Sequence, residues 1–435
     1  MAFYKKTIRE VDLRGKKVLL RADYNVPVSG GRIEDDYRIK QSLPTLHYLL
    51  EQRAIVVIIS HMGRPEGKKD PASSLKPVAE RLGELLGAPV AFAADCLGER
   101  AAKAAQKLNP GEVLLLENLR FYPQEEANDE QFARELLQVS GAEFFVQDGF
   151  GVVHRAHAST EAIARQNVMA ISGLLLEREI ETITRVMQQP ERPLAAIIGG
   201  AKISDKIEVL NRLIDIADVV AVGGAMANNF LLAEGLSLGK SLVEIETLDI
   251  TKDILKRARQ AEKQRPFHFL VPSDVVASRS PDGSLPTRVV DLSGHVIADI
   301  EAYPKLPPAS AHQLAGDELA LDIGPLSAGR IAGVVHASRT VLWNGTLGVA
   351  ETAGINGAQA PFAHATRVAV EAMVGRSRRH ANRPFSVAGG GDTVAYIQAQ
   401  LLSEDFDHLS TGGGASLELM AGRNLPGVEV LWDKD

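Results

Sequence analysis

The run Ala195–Leu210, AAIIGGAKISDKIEVL, decides the architecture. Ala195 to Ile198 is a short apolar run of the kind a buried parallel strand needs, Gly199 and Gly200 interrupt it, and Lys202 to Leu213 resumes at helical spacing. Strand, glycine turn and helix start make a unit built to meet an anion. Bare glycines let backbone N–H groups approach a ligand, and the first helical turn offers unpaired donors at the positive end of its dipole. Lys202 and Lys206 lie four apart, on one face of that helix, where like charges repel by roughly a few tenths of a kcal/mol. A bound phosphate reverses that sign, whereas pairing of Lys206 with Asp205 or Glu208 makes both lysines ordinary solvated charges; the local pattern leaves both readings open. No GxxxxGK[ST] phosphate loop is present, since GLSLGKS at Gly235–Ser241 is one residue short of the motif, with Glu234 where a glycine is needed.

Outward from this stretch the same unit recurs: an apolar run of about five residues, a polar or glycine-rich loop, then a helical segment. KVLLRADYN, VVIISHMGRP, VLLLENLRF and EFFVQDGFG supply the first half; AAIIGGAK, VVAVGGAMA, TVLWNGTLG, FSVAGGGDT and HLSTGGGA supply the second. Such alternation predicts an α/β protein with parallel sheets flanked by helices and ligands at the carboxyl ends of the strands. Leu174–Gln188 has helical periodicity and QQPERP, with two prolines, ends it, so a connecting helix and hinge are placed at 174–190. An N-terminal domain at 1–173 and a second domain at 191–415 follow, leaving 416–435 as a C-terminal segment. Ala277–Gly316, rich in Pro, Gly and Ser, reads as a surface excursion.

Composition narrows the function. The 435 residues include 45% hydrophobic side chains, enough for a large core, and the net charge of −7 speaks against wrapping nucleic acid or coating an anionic membrane. Any phosphate ligand must therefore be held by a local cluster. The lone Cys96 excludes an internal disulfide framework and a cysteine-based zinc site. MAFYKKTIREVDLRGKK has no apolar signal core and no run of about 18 apolar residues follows, so a cytoplasmic protein without membrane contact is expected.

The strand-end loops differ between the halves. The first half offers Arg21, Asp23, Asn25, His61, Arg64, Arg120, His154, Arg155 and His157, with Arg38 near a helix start; the second offers mostly glycines with Lys206, Asp392 and Thr393. Arginine forks bind carboxylate and phosphate oxygens with paired bonds, so several on one rim suit a small, multiply charged anion. Asp23 and Asn25 fit Asx turns and equally fit hydrogen bonding to that anion's hydroxyls. His154 and His157, three apart, share a face if helical, but Arg155 between them repels a metal ion, which favours anion contacts. Asp392 reads as the N-cap of a helix Thr393–Leu401 and as a ligand of nucleotide-bound Mg²⁺, roles that are compatible. TGGGA at Thr411–Ala415 is a second glycine entry to a helix N-terminus. No GxGxxG follows the first strand and no Ser-His-Asp or Cys-His arrangement appears, which weakens oxidoreductase and hydrolase readings. What remains, positioning plus positive charge, is what phosphoryl transfer mostly requires.

RADYNVP, SHMGRP, LLENLRF, HRAHAST, GGAKISDKI, WNGTLGVAE, GGGDT and STGGGASLEL, in this order and at these spacings, resemble the phosphoglycerate kinase family over nearly the whole chain. The resemblance implies a glycolytic, monomeric, hinge-bending kinase of two Rossmann-like lobes, each a parallel sheet flanked by helices, joined by a connecting helix, with the C-terminal tail returning to the first lobe. It implies reversible transfer between 1,3-bisphosphoglycerate and ADP, giving 3-phosphoglycerate and ATP, with Mg²⁺ as cofactor. Asp23, Tyr24, Asn25, Arg38, His61, Met62, Gly63, Arg64, Arg120, Arg155 and His157 would then hold the phosphoglycerate. Gly200, Ala201, Lys206, Asn344, Glu351, Gly390, Gly391, Asp392 and Thr393 would hold the nucleotide, with Asp392 near the metal. Arg38, Lys202 and Lys206, with the N–H groups of Gly412, Gly413 and Gly414, would neutralise the transferring group.

The chain departs from the family pattern at Gln147, Gly149, Leu326, Thr346, Leu347 and Ala350, none of them a charged catalytic position. A non-catalytic relative that binds both ligands as a regulator is the alternative; drift in such a protein would erode Arg38, Lys202, Lys206 and Asp392, and all four are present.

Overall fold

The computed structural model describes residues 3–292, 313–355, 360–375 and 383–435. The chain forms two compact units, Met1–Thr184 with Thr411–Asp435, and Arg185–Ser410.

In the first unit the apolar runs become β1 (Lys17–Arg21), β4 (Ile55–Ile59), β5 (Val90–Ala93), β6 (Val113–Leu116), β7 (Phe144–Gln147) and β8 (Met169–Ser172); β2 (Val28–Ser29) and β3 (Arg32–Ile33) form a small separate hairpin. The six-stranded sheet has order β5-β6-β4-β1-β7-β8 and every pairing in it is parallel. Continuous burial of IVVII in β4 follows from helices covering both faces, so alternation is lost and each residue contributes to the core. Register places Arg21 beside both Ile59 and Gln147, so the loops after β1, β4 and β7 leave from one level. The chain extends the sheet on one side of β1 and then crosses to the other with β7, which makes the carboxyl end of β1 a switch point.

The second unit repeats this plan. Strands β9 (Leu194–Ile198), β10 (Val219–Val222), β11 (His268–Leu270), β15 (Thr340–Asn344), β16 (Phe385–Gly389) and β17 (His408–Leu409) form a parallel sheet in the order β11-β10-β9-β15-β16-β17. Ile198 lies beside Val222 and Asn344, and Asn344 beside Gly389, so the glycine turns again share one rim.

Alternation does not foretell a second, three-stranded antiparallel sheet of order β13-β12-β14, built from β12 (Asp274–Ser278), β13 (Arg288–Asp291) and β14 (Leu319–Ile323). It corrects the reading of 277–316 as an irregular excursion over 277–291; the remainder falls largely on 293–312, outside the described residues. The physical signal was a period of two: Val289 is exposed and Val290 buried, on a strand with one wet face. Asp282 tightens the connecting turn by accepting from the Ser284 N–H at 2.8 Å.

The segment Leu174–Gln188 is a helix, and its first turn is capped from a distance: Asp148 Oδ1 accepts from the N–H groups of Leu175 and Leu176 at 2.9 and 3.2 Å. Among the described residues no helix is long and apolar enough to cross a membrane.

Candidate active site

On the rim of the first sheet, Asp23 and Asn25 organise the loop after β1. Asn25 N–H donates to Asp23 Oδ1 at 3.2 Å, the Asx turn expected from RADYN. Asn25 Oδ1 then accepts from Gly63 N–H at 2.9 Å, while Arg38, in the first turn of the helix Tyr37–Glu51, donates to the Asn25 carbonyl at 2.8 Å. Asp23 Oδ2 sits 3.4 Å from the same guanidinium. Gly151 packs so closely here that a Cβ on it would fall 2.1 Å from Asp23 Oδ2.

Two loops are tied together by Asn118, which sequence reasoning passed over. It donates to the carbonyls of Met62 and Ser73 at 2.7 and 2.8 Å and accepts from the N–H groups of Met62 and Arg120 at 3.2 and 3.0 Å. Arg120 is nearly buried, donates to the Gly63 carbonyl at 2.8 Å and faces Glu126 at 3.0 Å. His61 and His157 are both buried on this rim. Burial first, then the guanidinium groups of Arg21, Arg120 and Arg38 and finally His157, holds His61 well below the usual histidine range. Burial, followed by Arg120, Arg21, Arg155 and His154, pushes His157 down to about 4.

Arg64 and Arg155 are exposed, which leaves their forks available to a ligand. Tyr24 is different: its ring is wholly buried and its hydroxyl lies 2.9 Å from Ser42 Oγ, so its side chain serves the core. His154 and His157 do not share a helix, because Phe150–Val152 is a single 3₁₀ turn and the chain beyond it is irregular. Against this loop pack the glycines of the C-terminal stretch; a Cβ on Gly412 would lie 2.6 Å from the Phe150 ring, and one on Gly414 2.9 Å from His154 Nε2. The helix Gly413–Met420 starts there, with Gly412 as N-cap, so its first turn stands beside His154.

The rim of the second sheet is made of bare backbone. Gly199 N–H donates to the Asn344 carbonyl and Gly200 N–H to the Thr346 carbonyl, at 2.9 and 2.8 Å. A Cβ on Gly199 would meet the Thr346 carbonyl oxygen at 2.2 Å, so no other residue fits between these strand ends. Lys206 is buried in this glycine cluster and donates to the Gly199 carbonyl. Burial brings its ammonium down to about 8, with Asp205 and Asp392 pulling it back up.

Lys202 does not begin the helix, as its spacing implied. A 3₁₀ turn, Ser204–Lys206, comes first and the α-helix runs Ile207–Ile216, leaving Ala201 and Lys202 exposed in the turn. Glu244 is the reason: it accepts from the N–H groups of Ile203 and Ser204 and from the Ser204 hydroxyl, pinning the chain before the helix can start. Asp392 is likewise not an N-cap. Gly390, with φ of +93°, takes that place ahead of the helix Gly391–Ala399, and Asp392 follows within the first turn, exposed. Thr393 accepts from Gly345 N–H at 2.8 Å, joining two glycine turns, and the buried Asn344 lies under Gly390. A cavity of about 770 Å³ opens beside Asp392 and Glu351, walled also by Ala350, Arg367 and Tyr396.

A parallel α/β chain that gathers arginine and histidine at one rim, and a buried lysine among glycine turns at another, falls in the class of small-molecule phosphotransferases. The family model described as phosphoglycerate kinase matches residues 8–423. The phosphoglycerate kinase of Pelotomaculum thermopropionicum is 43% identical over 430 residues, covering 99% of this chain and 100% of its own. That of Roseiflexus sp. is 44% identical over 432 residues, with 99% of each chain covered. Among solved structures, phosphoglycerate kinase from Coxiella burnetii aligns with a TM-score of 0.78 at 33% identity, and that from Pyrococcus horikoshii with 0.77 at 30%, each over 98% of both chains. The chain belongs to the phosphoglycerate kinase family.

Proposed function

We infer that the chain catalyses reversible phosphoryl transfer between 1,3-bisphosphoglycerate and ADP, giving 3-phosphoglycerate and ATP. The observation that carries this is the placement of Arg38, His61 and Arg120 around Asp23 and Asn25 on one rim, an arrangement of charge suited to a phosphorylated glyceric acid.

The first rim binds the glycerate ligand: Arg38 and Arg120 are already oriented by carbonyls, Arg64 is exposed, and Arg155, also exposed, gives only its Nε to His154 Nε2 at 3.2 Å. The second rim binds the nucleotide, with Lys206, Gly200 and the first turn of Gly391–Ala399 facing its phosphates and Glu351 and Asn344 nearby. Transfer needs the acceptor carboxylate and the terminal phosphoryl in line, so the hinge closure expected from the sequence is part of the proposal. Lys202, Lys206, Arg38 and the amides of Gly412–Gly414 would carry the charge of the moving group.

Among the described residues no three His, Cys, Asp or Glu side chains cluster as metal ligands, so the metal would be held by phosphate oxygens and one carboxylate. Asp392 fits that part because it stands exposed in the first turn of the helix Gly391–Ala399 and lines the cavity beside Glu351. Mg²⁺ supplies charge neutralisation at the phosphates when bound.

The presence of Arg38, Lys202, Lys206 and Asp392 favours turnover over the binding-only alternative. We also propose a cytoplasmic protein, on the single buried Cys96, and a monomer, on the family resemblance alone. A coupled assay with ATP, Mg²⁺ and 3-phosphoglycerate, read through NADH consumption, tests the function. Turnover that collapses in Arg38→Ala is expected, and no turnover in the wild type would overturn the reading.

A further inference from the structure

A buried arginine that the scheme above leaves idle lies beneath the glycerate rim. Arg21 ends β1 with its side chain almost wholly removed from solvent. Its Nε donates to Ser159 Oγ at 2.7 Å, one terminal nitrogen donates to the Ala22 carbonyl, and the other lies 3.1 Å from His61 Nδ1. The Ser159 hydroxyl in turn donates to Glu125 Oε1 at 2.6 Å, and the Ser159 N–H donates to Oε2 at 3.0 Å. Glu125 is as buried as Arg21, so a buried cation is balanced through one hydroxyl by a buried carboxylate.

A guanidinium has only donors and keeps its proton throughout the working range of an enzyme. Its bond to Nδ1 therefore requires that nitrogen to be an acceptor, which leaves the proton of a neutral imidazole on Nε2. An imidazolium would set two N–H groups against each other at 3.1 Å. Arg38, Arg120 and His157 face the same ring, and Asp23, whose Oδ1 is 3.9 Å from Nδ1, already accepts from Asn25 and faces Arg38.

We propose that Arg21 is a positioning residue that fixes His61 as the neutral Nε2–H tautomer, with Ser159 and Glu125 holding Arg21 in place. His61 then presents an N–H donor to the anionic substrate and keeps its charge state between about pH 5 and pH 8, where an ordinary histidine titrates. The inference rests on the assignment of His61 to the glycerate site.

Long-range ¹H–¹⁵N spectra of the histidines test it on the full chain, at about pH 6 and about pH 8, with and without 3-phosphoglycerate, with His61 assigned by its loss in His61→Gln. Expected is an unprotonated Nδ1 and a protonated Nε2 at both values. Arg21→Met should mix or invert the tautomer and raise KM for 3-phosphoglycerate about tenfold, with kcat changed less than about threefold, and Arg21→Lys should restore part of the loss. If Arg21→Met does not fold, Ser159→Ala serves, with the same tautomer shift expected. An Nδ1–H ring or an imidazolium in the wild type at about pH 6 would overturn the proposal. So would a variant at either position that folds and keeps both the tautomer and KM. An unchanged KM in His61→Gln would instead overturn the assignment of His61 to the site, leaving the tautomer to stand or fall on the wild-type spectra.

Discussion

The ammonium of Lys206 donates to the carbonyl oxygen of Gly199, the first residue beyond β9, from within a sheath of bare glycine backbone. Burial lowers its pKa to about 8, so in the free protein a charge sits where solvent cannot balance it. The folded form binds fewer protons than the unfolded one between about pH 8 and about pH 10.5, so stability rises with pH across that window. Lys206→Met should therefore be more stable than the wild type at neutral pH by on the order of 2 kcal/mol, a gap that closes as the wild type sheds its proton. It should also lower kcat by roughly 10²- to 10³-fold, the usual cost of losing a preorganised donor to a developing charge. Urea unfolding without nucleotide and the coupled assay read the two effects; a variant less stable at neutral pH, or fully active, would contradict the argument.

Gly151 is kept small by Asp23. A methyl group 2.1 Å from Asp23 Oδ2 must push that carboxylate aside, and Arg38, which faces it at 3.4 Å, with it. Gly151→Ala should cost about 1–3 kcal/mol of stability from overpacking. It should lower kcat/KM for 3-phosphoglycerate by about tenfold or more, through misplacement rather than loss of a ligand. Calorimetry should find ADP affinity unchanged, since the damage is confined to the first unit; a matching fall in ADP binding would point to general unfolding instead.

Strand runs and strand-end loops were legible because parallel strands buried on both faces leave continuous apolar runs, as IVVII and LAAII do. Asp23, His61, Arg64, Arg120 and Asp392 were legible for the same reason, since each lies within a few residues of the end of such a run, whereas Arg38 opens a helix and Lys206 lies beyond a turn. Residues acting through contacts distant in sequence were not. Asn118 joins the Met62 and Ser73 loops, and Glu125 reaches Arg21 only through Ser159, pairings that no local spacing encodes. Helix starts at Lys202 and Asp392 were misread because long-range Glu244 and the positive φ of Gly390 set the true boundaries. Gly412 was picked out as a helix entry, but that its missing side chain admits the Phe150 ring could be learned only from the packing.

Asp148 offers a pH test in the first unit. Burial raises its carboxyl to about 7, although the Thr45 hydroxyl and the N–H groups of Leu176 and Leu175 favour its ionised form. Here the folded state binds more protons than the unfolded one between about pH 4 and about pH 7, so this group's contribution to stability falls as pH rises through that window. Asp148→Asn keeps an acceptor for the helix and removes the titration. It should flatten the pH dependence by on the order of 3 kcal/mol across the window and be the more stable form at about pH 8. Urea midpoints measured from about pH 4 to about pH 8 that fall in parallel for both proteins would assign the dependence elsewhere.

Asp392 separates a metal ligand from a helix charge. It lies in the first turn of Gly391–Ala399, exposed, and its charge is felt at Lys206. As a mere complement to the helix dipole it would contribute about 0.3–1 kcal/mol to stability, and Asp392→Ala would lose that much with no change in metal requirement. As a ligand for nucleotide-bound Mg²⁺ it would matter little to stability but much to the metal titration, because that ion keeps few protein ligands and losing one carboxylate is not made good by water. We expect Asp392→Ala to need about tenfold or more Mg²⁺ for half-maximal activity, with chelation by EDTA abolishing turnover in both proteins. Asp392→Asn should behave like the alanine variant, since it keeps the size of the side chain but not its charge. Superimposable Mg²⁺ titrations for wild type and both variants would remove Asp392 from the metal and leave the phosphates to hold it without this carboxylate.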